Sequence, residues 1–268
     1  MKQVRNGEFY GEHHQKLRFK TLVLTDTAYT HSQVDWHYHE HPYFTYLLAG
    51  QLYEAHRGAT YYLQPGGLLY HHWQDAHHNR RPPIPTRGFH LELPADWFHQ
   101  HGIQPQAFEG SHQIQHPAIR QRFNEIYREF RVNDADSAAS IEMLLSDVFS
   151  HMAHRPAPRR PKAPWLQQLT DWLTEAPDTQ TSLQDLSQRF RVHPVHLSRS
   201  FHQHLGMTLG QYRRLQKVNR AVLLLFTQLS LTEIGYRCGF YDQSHFIASF
   251  KRIYRQTPSQ FRQQVSRR

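Results

Sequence analysis

Histidine is the residue through which the first half of this chain could carry out chemistry. The 268-residue sequence contains 23 histidines, and 18 of them lie in residues 1–154. His37 and His39 are two residues apart in a segment that reads as a β-strand, so their side chains point to the same face. Together with a third histidine from a later strand, they could hold a divalent metal ion. The alternative is that these histidines bond to the backbone or line an apolar pocket.

The spacing of these residues resembles the cupin family of small β-barrels. Cupins carry an H-x-H motif, a P-x-G turn and a later histidine, which correspond here to residues 37–39, residues 65–67 and His77. Metal-binding cupins also supply a glutamate three or four residues after H-x-H, where this chain has Tyr43 and Phe44. A metal site would therefore need His37, His39 and His77, and the inward-facing His90 could add a fourth ligand. The other histidine pairs are expected at the solvated surface: His13 and His14, His71 and His72, His99 and His101.

Short strands must position these histidines. Residues 17–93 contain β-branched, aromatic and apolar runs separated by Gly and Pro, at 17–27, 44–50, 52–55, 59–63 and 88–93. Many short strands with turns between them are typical of a barrel or a sandwich, and the resemblance implies a cupin-like β-barrel. Two amphipathic helices are predicted within residues 117–151. They could cover the barrel or pair with another subunit.

Charge divides the chain into two parts near residue 154. Residues 1–154 contain 13 Lys and Arg against 16 Asp and Glu, a net charge of −3, whereas residues 155–268 contain 18 against 6, a net charge of +12. A basic half joined to a near-neutral half indicates a polyanion-binding module attached to something else. Residues 155–164 hold four prolines, four basic residues and no large apolar side chain. That composition predicts a linker between a domain of residues 1–154 and a domain of residues 165–268.

The basic half contains two similar helical units. In the first, Ser182 and Asp185 form a predicted capping box, and Pro194 begins a helix whose Leu197 and Phe201 face inward. The opposite face of that helix carries Val195, Ser198, Arg199 and His202.

A helix predicted over residues 209–228 leads to the second unit. Ser230 and Glu233 form a second predicted capping box, Gly239 makes a turn, and Asp242 caps the next helix. With its phenylalanines facing inward, that helix presents Gln243, Ser244, Ile247 and Ala248. A tight glycine turn between two short helices is typical of a DNA-binding helix-turn-helix. Two such units one helix length apart match the roughly 34–36 Å between major-groove faces on one side of B-DNA.

These motifs resemble the DNA-binding domain of AraC/XylS-type transcriptional regulators. The resemblance runs through residues 182–201, 209–213 and 234–262, and it covers the whole basic half. It implies an α+β multidomain protein with an N-terminal cupin-like β-barrel followed by helices. The implied C-terminal domain is all-α, with two helix-turn-helix units joined by a long helix. Many members of the family carry a cupin-like sensing domain, which agrees with the strands predicted over residues 17–93.

The resemblance assigns both sets of outward residues to DNA. Arg199 is the best candidate for a base contact, because arginine can bond guanine O6 and N7 together. Gln243 could pair with adenine, and Ile247 could contact a thymine methyl. Many family members have an arginine where this chain has Ala248, which puts base reading by the second unit in doubt. Phosphate contacts are expected from Arg213, Arg214, Lys217, Lys251 and Arg252, with a merely solvated charge as the alternative for each.

The sequence therefore predicts a sequence-specific transcriptional regulator, not an enzyme, whose DNA binding is controlled by a small molecule in the N-terminal barrel. The alternative is a metal-dependent cupin enzyme fused to a DNA-binding domain. Expected partners are double-stranded DNA, a small-molecule effector, a second copy of the chain, and RNA polymerase if the protein is an activator. The lone Cys238 fits a reducing cytoplasm, and no apolar run is long enough to cross a bilayer.

Overall fold

The computed structural model describes residues 2–20, 22–153, 164–175, 181–205, 207–254 and 256–266. The chain divides into two compact units, one of residues 1–114 and 122–154, the other of residues 115–121 and 155–268. Of the predicted linker at 155–164, only Pro164 lies within the described residues, where it begins a helix.

The first unit is built on short β-strands. They are β1 (Lys2–Val4), β2 (Glu12–Phe19), β3 (Leu22–Ala28), β4 (Gln33–His39), β5 (Tyr43–Ala49), β6 (Leu52–His56), β7 (Thr60–Leu63), β8 (Leu68–His71), β9 (His77–Arg80), β10 (Arg87–Glu92) and β11 (His112–Ile114). β1 pairs in parallel with β4, and the other pairings are antiparallel. The prediction of many short strands with turns between them is confirmed.

A cupin-like β-barrel is predicted, and the strands form two sheets that do not close into a barrel within the described residues. One has the order β1-β4-β9-β6-β7 and the other β11-β8-β5-β10-β3-β2, and no strand pairing joins them within the described residues. The chain passes from the six-stranded sheet to the five-stranded sheet at Gly50. This residue has φ +77, a backbone conformation that residues with a side chain disfavour. A Cβ at Gly50 would lie 2.4 Å from Thr86 Oγ1, so the turn requires glycine.

Three helices follow the sheets: α1 (Ala95–Gln100), α2 (Pro117–Val132) and α3 (Ser137–Ala153). Both helices predicted within residues 117–151 are confirmed. The Phe123 ring of α2 lies 4.8 Å from Phe44 of β5, and the Tyr127 ring lies 5.2 Å from Phe89 of β10. Residues 122–132 of α2 therefore cover the six-stranded sheet of their own chain.

The second unit is helical. Its helices are α4 (Pro164–Glu175), α5 (Leu183–Phe190), α6 (Pro194–Leu205), α7 (Leu209–Leu225), α8 (Leu231–Arg237), α9 (Gln243–Tyr254) and α10 (Pro258–Ser266). The central helix α7 contacts α6, α8, α9 and α10. One apolar cluster joins α4, α5, α6 and α7 through Leu169, Leu186, Leu197, Phe201 and Tyr212. The two predicted helical units are thus held by one central helix.

Side-chain caps fix the starts of these helices. Ser182 and Asp185 form the predicted capping box before α5. Ser230 caps α8 by accepting from Glu233 N at 3.1 Å, but Glu233 pairs with Arg237 instead of completing the predicted box. A reciprocal box that the sequence analysis missed opens α7, between Thr208 and Gln211.

The helix α7 is shorter than predicted. It ends at Leu225 rather than residue 228, because Thr227 bonds the Leu224 carbonyl through both its backbone N (3.1 Å) and its hydroxyl (2.7 Å). Seventeen residues span about 26 Å. Among the described residues, no helix combines the length and apolarity that a membrane span needs.

Candidate nucleic-acid interface and candidate metal centre

The helix α6 has the two faces that its spacing predicts. Leu197 and Phe201 are fully buried, whereas Val195 is 51% exposed. Ser198, Arg199 and His202 are exposed on the same side as Val195. Between α5 and α6 the chain turns at Arg191, which takes φ +52 without being glycine. All four residues predicted to face DNA are therefore available at the surface of this helix.

The second predicted unit, α8 and α9, has the expected turn. Gly239 takes the left-handed conformation at φ +71, and its N donates to Tyr236 O at 2.9 Å. Asp242 caps α9 by accepting from His245 N at 2.7 Å. Both features confirm the sequence prediction for this turn.

The outward residues of α9 differ in how available they are. Ser244 and Ala248 are exposed, and Ile247 is half-buried. Gln243 is exposed, but its Oε1 accepts a hydrogen bond from Thr232 Oγ1 at 2.8 Å. A paired contact from Gln243 to adenine needs both its oxygen and its nitrogen, so that contact would have to displace Thr232.

Two of the predicted phosphate contacts have partners inside the second unit. Arg213 is half-buried and donates to Thr181 O at 2.6 Å, and burial lowers its pKa. Lys217 donates to Gly239 O and lies 5.9 Å from the centre of the Phe240 ring. Both side chains therefore tie a helix-turn-helix unit to α7. Arg214 is half-buried, and Lys251 and Arg252 are exposed at the end of α9.

Two tyrosines at the second turn were missed by the sequence analysis. Tyr236 and Tyr241 are 81% and 89% exposed, on either side of Gly239. Tyrosine hydroxyls are common phosphate ligands in DNA complexes. The sequence does contain a sign of them: both are large aromatic residues that do not fall at the apolar, inward-facing positions of α8 and α9.

Strand order brings the histidines of the first unit together. β9 lies between β4 and β6, so His77 is the direct cross-strand partner of His37 on one side and of His56 on the other. Three of the histidines each offer one potential ligand atom, and these three atoms lie within 4.8 Å of one another. The histidines are His37, His39 and His77. A second group with the same property consists of Glu54, His56 and His77.

Hydrogen bonds fix the tautomers of two of these rings. Nδ1 of His37 lies 2.8 Å from Asp35 O, and Nδ1 of His77 lies 3.0 Å from Asp75 O. A carbonyl oxygen can only accept, so each Nδ1 carries the proton and each Nε2 keeps its lone pair. The Nδ1 of His39 is buried and has no hydrogen-bond partner among the described residues. Carbonyl-held imidazoles of this kind are typical metal ligands.

Burial also sets the charge of the cluster. It lowers the pKa of His37, lowers that of His39 further, and lowers that of His77 to about 3, so these rings are neutral near pH 7. Burial alone would raise the pKa of the Glu54 carboxyl, but the neighbouring His71 and His77, together with hydrogen bonds from the His56 and His71 rings, hold that pKa well below its usual value. The cluster therefore offers neutral imidazoles beside one buried carboxylate.

Two sequence predictions about histidines are corrected by the structure. His90 is buried, but its Nε2 lies 2.8 Å from Tyr29 OH and its Nδ1 lies 3.3 Å from Thr25 Oγ1, so it belongs to neither ligand group. His71, predicted at the surface, is buried with its Nδ1 3.1 Å from Glu54 Oε1. His71 ends β8 opposite Tyr43 of β5, and the rings of these two residues stack with their centres 3.9 Å apart.

The sequence analysis missed Glu54 and His56. They are two residues apart on β6, in the same spacing as His37 and His39, so an E-x-H pattern on a predicted strand was the available signal. Two aromatic residues pack against the histidines of β4. The Phe9 ring stacks 4.9 Å from His39, and the Tyr10 ring lies edge-on 5.0 Å from His37.

Comparisons with known proteins concern mainly the second unit. Residues 186–264 match the family described as a helix-turn-helix domain. The HTH-type transcriptional activator RhaS of Salmonella schwarzengrund is 35% identical over 99 residues, which cover 37% of this chain and 36% of RhaS. RhaS of Enterobacter sp. (strain 638) has the same identity and coverage. The match thus spans about a third of the length of these curated relatives.

Two solved structures are also similar. The DNA-binding domain of AdpA, in complex with a target DNA, is 26% identical with a TM-score of 0.38, covering 40% of this chain and 97% of that chain. An apo variant of ToxT from Vibrio cholerae is 10% identical with a TM-score of 0.42, covering 92% of this chain and 99% of that chain.

Proposed function

We propose that this chain, whose residues 186–264 form a helix-turn-helix domain of the AraC/XylS type, is a transcriptional regulator that binds specific DNA sequences. The observation that carries the proposal is the two-faced character of both recognition helices. Each buries an apolar side in the second unit and leaves its predicted DNA-facing residues exposed, except for the half-buried Ile247 of α9. The net charge of +12 on residues 155–268 supplies the attraction to phosphates that such binding needs.

The base contacts are proposed to come mainly from α6. It presents the exposed Arg199 with Val195, Ser198 and His202 beside it. From α9, Ser244, Ile247 and Ala248 would lie against the groove, and Gln243 would contribute after releasing Thr232. Lys251, Arg252 and Arg214 would contact phosphates. Arg213 and Lys217 would act by holding the two units in place.

Control by a ligand of the first unit is part of the proposal. A small effector bound there would shift the chain between forms that bind DNA well and poorly, by as much as its affinity for the two forms differs. A second copy of the chain and RNA polymerase are the further proposed partners, since the RhaS relatives are activators. A regulator of this kind would act in the cytoplasm, where bacterial promoters are.

The test is selection of DNA sites from a randomised library by the full-length protein. The proposal predicts one enriched sequence, bound about 10³-fold or more tightly than unrelated DNA at physiological salt. A library that stays random after repeated rounds would contradict it. Arg199→Ala should still bind DNA while losing preference at one base position, which separates sequence reading from charge attraction.

The second candidate function is that of a metal-dependent enzyme, and the observation that favours it is the buried Glu54 among imidazoles. A buried carboxylate beside metal-ligating histidines is also found in catalytic centres. Turnover of a substrate by the metal-loaded protein, lost in His77→Ala, would establish this function in place of sensing.

A further inference from the structure

We infer that Glu54, His56 and His77 form a second ligand set for a divalent transition-metal ion, and that this set competes with His37, His39 and His77 for one ion through the shared His77. The inference deepens the proposed function, because it gives the effector a chemical class. Metal binding itself can be tested without DNA.

The register of the five-stranded sheet places His77 between two groups of ligands. His77 on β9 faces His37 on β4 and His56 on β6 across adjacent strand pairs. Both groups keep their ligand atoms within 4.8 Å. The ligand atoms of a tetrahedral zinc ion lie about 3.4 Å apart. Side-chain rotations that move each ligand atom by about 1 Å would therefore close either group around an ion.

His77 has only one ring nitrogen that can coordinate an ion. Its Nδ1 donates to Asp75 O at 3.0 Å, which leaves Nε2. That Nε2 lies 3.0 Å from Tyr43 OH, whose proton it accepts, so a bound ion would replace this hydrogen bond. One lone pair binds one ion, so the two groups cannot both be completed by His77 at the same time.

Each ligand group contains a buried ring nitrogen without a hydrogen-bond partner among the described residues. Nδ1 of His39 and Nδ1 of His56 have no hydrogen-bond partner among the described residues. A buried polar atom without a partner destabilises the fold and calls for an explanation such as a bound ion. One of these nitrogens belongs to each ligand group, so the explanation applies to both.

The donor set indicates the class of metal. Imidazole nitrogens with at most one carboxylate oxygen suit Zn²⁺, Co²⁺, Ni²⁺ and Cu²⁺, whereas Mg²⁺ and Ca²⁺ require mostly oxygen ligands. The two groups differ in charge, because one consists of three neutral imidazoles and the other includes the Glu54 carboxylate. They should therefore give a bound ion different spectra.

The experiment measures Co²⁺ and Zn²⁺ binding by the metal-free, full-length protein, using equilibrium dialysis and Co²⁺ absorption. We expect one ion per chain. His77→Ala should weaken binding about 100-fold or more, since even residues that only orient a ligand cost 10–100-fold. A paired change of His37→Ala with His39→Ala should keep one ion, held by Glu54, His56 and His77, with a shifted Co²⁺ spectrum.

The reciprocal pair, Glu54→Gln with His56→Ala, should also keep one ion, and combining all four changes should abolish binding. The matched control is His78→Ala, on the same strand but facing Trp36 instead of the cluster. It should bind as the unaltered protein does. Thermal unfolding of each variant verifies that it is folded.

Several results would overturn the inference. These are two ions per chain in the unaltered protein, no ion at all, unchanged binding in His77→Ala, or complete loss of binding in the His37 and His39 pair. The stoichiometry of the unaltered protein tests the idea even if a variant does not fold. Failure of DNA binding would count against the proposed function alone. One bound ion that leaves DNA affinity unchanged would remove its role as effector.

Discussion

Arg199 is the exposed residue on which sequence reading by α6 should depend most. Arginine can bond two acceptors of one guanine, and Leu197 and Phe201 on the other side of the helix fix its direction. Replacing it with alanine should cost about 1–3 kcal/mol of specific binding and relax the preference at one base position. Binding to the selected site and to its single-base variants measures both effects.

The control for Arg199 is Arg57→Ala. Arg57 is exposed in the turn between β6 and β7 and carries the same charge, but it belongs to the first unit. Its loss should leave the base preference unchanged. If Arg199→Ala weakened all DNA sequences equally, Arg199 would be a phosphate contact instead of a base contact.

Glu92 should make the stability of the first unit depend on pH. It is buried in the six-stranded sheet, and burial raises its pKa to about 7. The hydrogen bond that Gly7 N donates to the carboxylate lowers the pKa, but by less than burial raises it. Up to about pH 7, the folded form therefore keeps a proton on Glu92 that the unfolded form loses above about pH 4.5. Stability from this group is present below pH 4.5 and is lost as the pH rises through 7.

Glu92→Gln removes this dependence, because the neutral amide can still accept from Gly7 N. At pH 8 the variant should be more stable, by up to about 3 kcal/mol. At pH 5 it should differ little. Urea unfolding at the two pH values checks this. Equal effects at pH 5 and pH 8 would show that the Glu92 carboxyl does not titrate between them.

Part of the histidine cluster was predictable residue by residue. The H-x-H spacing puts His37 and His39 on one face of a strand, and His77 joins them as predicted. Glu54 and His56 were not found, because nothing in the sequence says that β9 pairs with both β4 and β6. His90 was misplaced because strand alternation predicts burial but cannot tell which sheet a strand joins.

At the scale of elements, the turn between α8 and α9 depends on Gly239. Its φ of +71 costs other residues about 1–2 kcal/mol, and its carbonyl is the acceptor for Lys217. Gly239→Ala should therefore destabilise the second unit by about that amount and weaken the contribution of α9 to DNA binding. Urea unfolding gives the stability change.

Gly210→Ala is the matched control for Gly239→Ala. Gly210 lies in the first turn of α7, and a Cβ there would meet no atom within 4 Å. Alanine suits a helix better than glycine, so this variant should be as stable as the unaltered protein or more stable. Equal losses from both substitutions would mean that the left-handed conformation is not what Gly239 supplies.

Element boundaries followed the sequence where local chemistry sets them. The Ser182 box, Pro194 at the start of α6 and the turn at Gly239 were all predictable, because each depends on a few neighbouring residues. The end of α7 at Leu225 was not, since it depends on how Thr227 bonds the preceding turn.

At the scale of the whole molecule, the sequence predicts two parts with different chemistries. Charge and histidine content change near residue 154, and the chain divides into compact units near the same place. The helical unit was predictable in detail because its motifs are local and repeated. The arrangement of the strands as two sheets was not, because it depends on pairings between strands that are distant in the sequence.

The most direct test of the account is a base-resolution footprint of the full-length protein on its selected DNA site. If both helix-turn-helix units bind, the site of one chain should contain two protected major-groove faces on the same side, with centres about 10–10.5 base pairs apart. Gly239→Ala should weaken one of the two and leave the other. A single protected face per chain, or protection that spreads evenly over unrelated DNA, would contradict the account.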